Sequence, residues 1–302
     1  MVIIMNRTLT RPIALPLHKP ERRRRDIQTP LLRGAVWTAA MLTLASLGFL
    51  IAYILIKGIP NLTPSLFAWT YNSTNVSLTP ALINTLYMIL LALGISVPVG
   101  IGAAVYMTEY AKRGSKLVKL VRVTAETLSG IPSIVYGLFG SLFFVDSCGF
   151  GLSLLSGGLT LAIMILPLIM RTAEEALLAV PDSWREGSFG LGAGRVRTVF
   201  RIILPAAIPG ILSGVILAVG RIMGESAALI FTAGTVAEAA GSLLDSTRTL
   251  AVHMYTLSGE GLYIEQAYAT AVVLLVLAAV VNGLSGLAAR CLTGGRGSQW
   301  IR

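Results

Sequence analysis

The sequence predicts an all-α integral membrane protein with six transmembrane helices. Three observations carry that reading. Only 13% of the 302 residues are charged while 55% are hydrophobic, against about 25% charged in an ordinary soluble domain. Apolar stretches long enough to cross a hydrocarbon core of ~30 Å recur along the chain. The 24 Lys and Arg residues gather in alternate connections between those stretches, the pattern that orients helices in a bilayer.

The six spans cover 34–56, 81–107, 127–145, 152–170, 206–231 and 266–289. A helix of ~20 residues rises ~30 Å, so each is of the right length. Eight basic residues precede the first span. Five (Lys112, Arg113, Lys116, Lys119, Arg122) lie between the second and third, five (Arg171, Arg185, Arg195, Arg197, Arg201) between the fourth and fifth, and three (Arg290, Arg296, Arg302) follow the sixth. The other side has only Lys57 and Arg248, and Arg221 falls inside the fifth span. Basic connections stay in the cytoplasm, so both termini and the segment 171–205 are expected inside. The net charge of +10 thus reports topology. Membrane lipid is an expected partner and nucleic acid is not.

Four regions follow. Residues 1–33 form a basic tail whose run Arg22, Arg23, Arg24 and Arg25 suits an anchor beside acidic lipid. A twin-arginine export signal fits poorly, because the apolar run starts late and is long. Residues 34–80 hold the first helix and an outer loop, residues 81–291 a five-span core, and residues 292–302 a short tail. Gly and Pro recur inside the spans, as close helix packing in a polytopic protein tolerates. Cys148 and Cys291 fall on opposite sides of the bilayer, so no disulfide is expected. His18 and His253 stand alone, with no role assigned.

The charged segment 171–205 is the most informative. Pro181 and Asp182 end the preceding run. Ser183 and Glu186 have the spacing of a capping box, which predicts a short helix carrying Trp184, Phe189 and Leu191. Gly192 sits where a left-handed cap would stop it. Val196, Val199, Phe200 and Ile203 recur at helical spacing between arginines, predicting a second, amphipathic helix at the membrane surface that Pro205 ends. On local physics alone the unit reads either as an interfacial connector or as a stiff lever.

Arg221 and Glu225 are four residues apart in the fifth span, so they are expected to share a helix face and pair. Counted from Ala206, Arg221 lies ~22 Å along the helix. A charge near a helix centre costs ~2.5–3.5 kcal/mol on insertion scales, so either a structural pair or a polar path for an oxyanion is implied. Gly210, Gly214, Gly220 and Gly224 make two G-x-x-x-G spacings, predicting tight packing. Arg171 reads as a boundary arginine or a lesser member of the same path, and Glu126 as an interfacial residue. No G-x-x-x-x-G-K-[ST] occurs, nor any Ser/His/Asp or metal-binding constellation. Catalytic residues, metal ligands and a cofactor bound by this chain are therefore not expected.

The spacing Glu186-x5-Gly192-x9-Ile202-x-Leu204-Pro205 resembles the EAA loop that permease subunits of bacterial ABC importers press into their ATPase partners. SGIPSIVYGLFG (129–140), RTAEEALLAVPDSWREGSFGLGA (171–193) and GRIMGESAALIFTAG (220–234) extend the likeness over most of 81–291, to the PstA family of phosphate-importer permeases. The resemblance implies the type I ABC importer permease fold and a multi-pass protein of the bacterial inner membrane. It implies a heterodimer with a PstC-like permease, two PstB-like ATPase subunits carrying ATP-Mg, and a PstS-like phosphate-binding protein. It places Arg221, Glu225 and, more weakly, Arg171 on the substrate path. It places Ser183, Glu186, Gly192, Ile202, Leu204 and Pro205 in the ATPase-coupling loop. One departure stands out: the two alanines expected after the glutamate are Gly187 and Ser188. Sulfate or molybdate permeases would share the loop, as would the sister PstC subunit. A gradient-driven transporter or a phosphate sensor is the reading from another class.

Overall fold

The computed structural model describes residues 28–112 and 114–294. The expectations for residues 1–27 (His18 and the arginine run among them), for Arg113, and for Arg296 and Arg302 lie outside the described residues, as do the side chains of Arg290 and Cys291. Every regular element among the described residues is helical. The chain divides into two compact units, with the boundary after Ala52, inside helix α1 (Gln28–Gly58). In the first unit, the side chains of residues 32–50 are exposed on every side. A helix apolar all round suits hydrocarbon surroundings.

The second unit holds the packed core. Helix α2 (Thr79–Val105) begins with Pro80 in its first turn, where the missing N–H costs nothing. It runs on into a wide π-turn at Tyr106–Tyr110. Helices α3 (Lys116–Ser129) and α4 (Ser133–Gly140) follow, then a second π-turn at Ser141–Ser147. Helix α5 (Leu154–Leu178) is the central one, and Ser153 caps it by accepting from the Ser156 amide. Met88 and Ala92 of α2 pack against Leu161, Ile165 and Ile169 of α5, with Ile222 and Leu229 closing the cluster.

Among the described residues, five helices are long and apolar enough to cross a membrane: Leu32–Asn61, Thr79–Tyr110, Leu154–Leu178, Arg195–Met223 and Ile264–Leu284. These include five of the six expected spans. The third, expected as one helix over 127–145, is instead a bent pair, α3 and α4, meeting at 102°. The break falls at Gly130-Ile131-Pro132, where proline lacks a donor and disfavours helix in the residue before it. Helix α3 carries Lys116, Lys119, Arg122 and Glu126 and is amphipathic. The remaining 133–147 segment spans only ~22 Å at 1.5 Å per residue, short of the ~30 Å core.

The fifth span also departs from expectation. Helix α6 (Asp182–Gly190) and helix α7 (Arg195–Thr198) are followed by a π-turn at Val199–Ile203 and helix α8 (Leu204–Met223). Residues 195–223 form one helical run, so the expected surface helix is the beginning of the span itself. Pro205 does not end it. It sits in the first turn of α8, after the wide turn has relaxed the bonding that its ring would otherwise break. The first G-x-x-x-G packs as expected: a Cβ on Gly210 would lie 2.6 Å from Ala176 Cβ, and one on Gly214 would collide with Thr172. The second does not, for Gly220 faces open space and Gly224 caps the helix.

Helix α9 (Ala227–Thr232), helix α10 (Leu250–Glu260) and helix α11 (Ile264–Gly294) complete the chain. Asn84, buried in α2, ties down the connection before α10. Its side chain accepts from Ala240 N at 2.9 Å and donates to Glu238 O at 2.8 Å and Arg248 O at 3.3 Å. Gly58 meets α11 backbone to backbone, since a Cβ there would collide with the Tyr268 carbonyl.

Candidate functional site: an elbow and an arginine-lined cavity

The elbow is built from α6, α7 and the π-turn after it. Helix α6 starts two residues earlier than the capping-box reading required, at Asp182 instead of Trp184. Pro181 is its N-cap residue and no side chain caps it. Ser183 therefore lies inside the first turn, and Glu186 does not reach back to it. Asp182 supplies first-turn negative charge instead, which favours a helix N-terminus. The exit is as expected. Gly192 has φ +80°, its N–H donates to Phe189 O at 2.9 Å, and Ala193 N donates to Ser188 O at 3.1 Å. These two bonds are a Schellman motif, which needs a residue free of Cβ strain at that position.

The six residues expected in coupling divide by environment. Ser183, Glu186 and Gly192 are exposed. Ile202 and Leu204 are half-buried and pack on a second core cluster that includes Ala104, Ala173, Leu177 and Ile203, with Pro205 beside them and also half-buried. One half of the pattern anchors the elbow and the other half is presented outward. Trp184 and Phe189 are about half exposed, and Leu191 is 92% exposed. Arg185 turns the other way. It donates to Glu109 at 2.7 Å, to Val180 O at 2.7 Å, to Leu177 O at 3.0 Å and to Asp182 at 3.1 Å. Ser188 and Thr198 share a buried hydrogen bond of 2.8 Å. Sequence reasoning missed both contacts. Nothing in the sequence marks Glu109, 76 residues before Arg185, as its partner.

The second place is a cavity of about 690 Å³ between α3, α5 and the end of α8. Its lining brings together Arg171 and Arg221, with Arg122, Glu126, Glu174 and Glu175 around them. Arg122 pairs with Glu174, which is buried. Arg171 pairs with Glu175 one turn on, at 3.1 Å, and both are well exposed. Arg221 has no ion pair among the described residues. Glu126, expected as an interfacial group, lines this cavity as well.

Glu225 is not where the sequence reading put it. Helix α8 ends at Met223 with Gly224 as cap, so Arg221 and Glu225 do not share a helical face, and Arg221 lies in the last turn rather than mid-helix. Glu225 is buried and accepts from Ala228 N at 3.1 Å. It satisfies a first-turn amide of α9, the usual use of a polar group at a helix start. The signal was present in Gly224-Glu225-Ser226: an exit glycine followed by acidic and hydroxyl residues before a new apolar run. The lining sets three arginines against three glutamates, and of the arginines Arg221 alone has no ion pair among the described residues. Its guanidinium presents a planar fork of donors matched to oxyanions, and at ~4 Å a unit charge pair is worth ~4 kcal/mol in surroundings of intermediate polarity.

An all-helical bundle with a short exposed helix between its central spans has the fold of a type I ABC importer permease. The chain belongs to the family of binding-protein-dependent transport system inner membrane components, which matches residues 96–292. It is 35% identical over 254 residues to the probable ABC transporter permease protein YqgI of Bacillus subtilis, covering 79% of this chain and 86% of that one. It is 31% identical over 233 residues to the phosphate transport system permease protein PstA 1 of Mycobacterium tuberculosis H37Rv, covering 75% of each. With PstA of Haemophilus influenzae it shares 33% identity over 211 residues, covering 69% and 74%. Among solved structures, a bacterial alginate ABC transporter in complex with its alginate-bound periplasmic protein superposes with a TM-score of 0.61, at 18% identity and over 88% of this chain and 98% of that one. The MetNI methionine transporter, inward facing, superposes at 0.55, with 19% identity over 80% and 97%. The chain is thus a multi-pass inner-membrane permease, whose transport needs a separate ATPase and a substrate-binding protein.

Proposed function

We propose that this chain is the PstA-type permease subunit of an importer of inorganic phosphate. The observation that carries the substrate is the cavity that Arg171 and Arg221 both line, with Arg221 in no ion pair among the described residues. Relatives named as phosphate permeases over three quarters of the chain support the same reading. The partners are then a PstC-like permease, two PstB-like ATPase subunits carrying ATP-Mg, and a PstS-like phosphate-binding protein. The elbow and both termini face the cytoplasm.

In this reading phosphate arrives on the binding protein and ATP closes the ATPase pair. The ATPase bears on the exposed face of α6, through Ser183, Glu186 and the turn at Gly192. Ile202, Leu204 and Pro205 pass the displacement into α8, which carries Arg221. The path opens outward, phosphate enters beside Arg221, and hydrolysis restores the inward-facing state. Glu225 acts at one remove, by fixing the α8–α9 corner beyond Arg221.

The test is phosphate uptake by Arg221→Gln in the assembled importer. Uptake should fall to background while the complex still co-purifies with its ATPase. Normal uptake by that variant removes Arg221 from the path. Competition between labelled phosphate and sulfate or molybdate decides the substrate: displacement by either at equal concentration overturns phosphate selectivity.

A further inference from the structure

We infer that Arg185 and Glu109 are the positioning pair that makes α6 and the C-terminal turn of α2 move as one body. The inference rests on the coupling role proposed above for α6. It assigns the linkage to two residues outside the motif that marks that role.

The guanidinium of Arg185 has five N–H donors, and all five have acceptors. Nε donates to Glu109 Oε1 at 3.1 Å and Nη2 to the same oxygen at 2.7 Å. The second Nη2 hydrogen faces Leu177 O at 3.0 Å, and Nη1 serves Val180 O at 2.7 Å and Asp182 at 3.1 Å. Three places converge on one side chain: the end of α5 with the residues just after it (Leu177 O and Val180 O), the π-turn that ends α2, and the first turn of α6. Arg185 is 16% exposed and Glu109 9% exposed, so the pair is sheltered from the screening that makes surface pairs weak. Among the described residues, every side-chain hydrogen bond between α6 and the end of α2 passes through Arg185. The other long-range tie of α6, Ser188 to Thr198, leads only toward α8.

A push on the exposed face of α6 therefore has two exits. One runs through Ser188 and Thr198 into α8. The other runs through Arg185, which is held at the end of α5 by Leu177 O and Val180 O, into Glu109, and so into α2 and on to α3, one wall of the cavity. Without the second exit α6 can tilt on its own while the α3 wall stays behind. Lysine cannot replace Arg185 here. It keeps the charge but offers three donors on a point, not a fork that reaches three elements.

The test uses the whole importer reconstituted in liposomes with its ATPase and binding protein, measuring phosphate moved per ATP hydrolysed. Glu109→Gln and Arg185→Lys should each lower that ratio by about tenfold, the size expected for residues along a coupling network, with co-purification of the ATPase retained. An unchanged ratio in Glu109→Gln overturns the inference. So does a loss of assembled complex with a normal ratio in what remains, since that is a purely structural role. Should Arg185→Lys fail to assemble, Glu109→Gln, which keeps the side chain's shape, decides alone. Failure of the wild-type importer to move phosphate would count against the substrate proposal instead. The ratio can then be measured with whichever substrate the binding protein carries.

Discussion

Ser188 and Thr198 join their hydroxyls at 2.8 Å inside the elbow, both nearly inaccessible. This explains a departure from the family pattern, which has a small apolar residue where Ser188 stands. The hydroxyl closes the corner between α6 and α7, and Thr198 also donates within its own turn to Gly194 O at 3.2 Å. Ser188→Ala should cost about 1 kcal/mol, because one buried hydroxyl loses a partner. The double variant Ser188→Ala/Thr198→Val should cost less than the sum of the single variants, as both ends become apolar. Thermal unfolding of the purified complex checks both.

Gly192 should tolerate no ordinary side chain. Nothing lies within 4 Å of where a Cβ would go, so the cost is backbone strain alone. At φ +80°, Gly192→Ala should cost about 1–2 kcal/mol, while Gly192→Asn should recover part of it. The readouts are thermal stability and transport per ATP.

Glu186→Lys should separate hydrolysis from transport. Glu186 is exposed on the outward face of α6, so reversing its charge leaves the fold intact and, on the proposed reading that α6 bears on the ATPase, acts on that contact. Co-purification with the ATPase should weaken by on the order of tenfold or more. Undiminished coupling would take Glu186 out of the interface.

His253 should make the α10 region acid-sensitive. Burial, and then the nearby Arg248 charge, lower its pKa to about 3. The Val76 backbone beside the imidazole offsets part of that lowering, though neither ring nitrogen reaches full hydrogen-bond geometry among the described residues, and the Tyr71 ring meets the imidazole edge-on at 6.2 Å. The unfolded chain takes up a proton near pH 6.5 and the folded chain does not until about pH 3. This contribution is therefore complete above pH 6.5 and falls by about 1.4 kcal/mol per pH unit below it. His253→Phe should flatten the fall between pH 7 and pH 5. A melting series over that range, wild type against variant, measures it.

The legible and the illegible parts of this protein differ in the range of the forces behind them. Gly192 was readable because a left-handed cap is a local demand that glycine meets best. The span 152–170 was readable because hydrophobic length is a property of one segment. The bend in the third span was also written locally, in Gly130-Ile131-Pro132, but apolar content on either side outweighed it. Pro205 misled in the opposite sense, since its helix-breaking tendency was met by a π-turn just before it. Arg221 and Glu225 misled because four-residue spacing implies a shared face only while the helix lasts, and here it ends between them.

From the sequence alone came the all-helical membrane class, the alternation of charge, the short helix with its glycine exit, and the arginines worth watching. Each depends on residues within a few turns of one another. Only the tertiary structure decided that Arg171 and Arg221 face one cavity and that Arg185 closes on Glu109. Those outcomes depend on which side chains packing brings together across 50 to 76 positions, where no periodicity or propensity reaches.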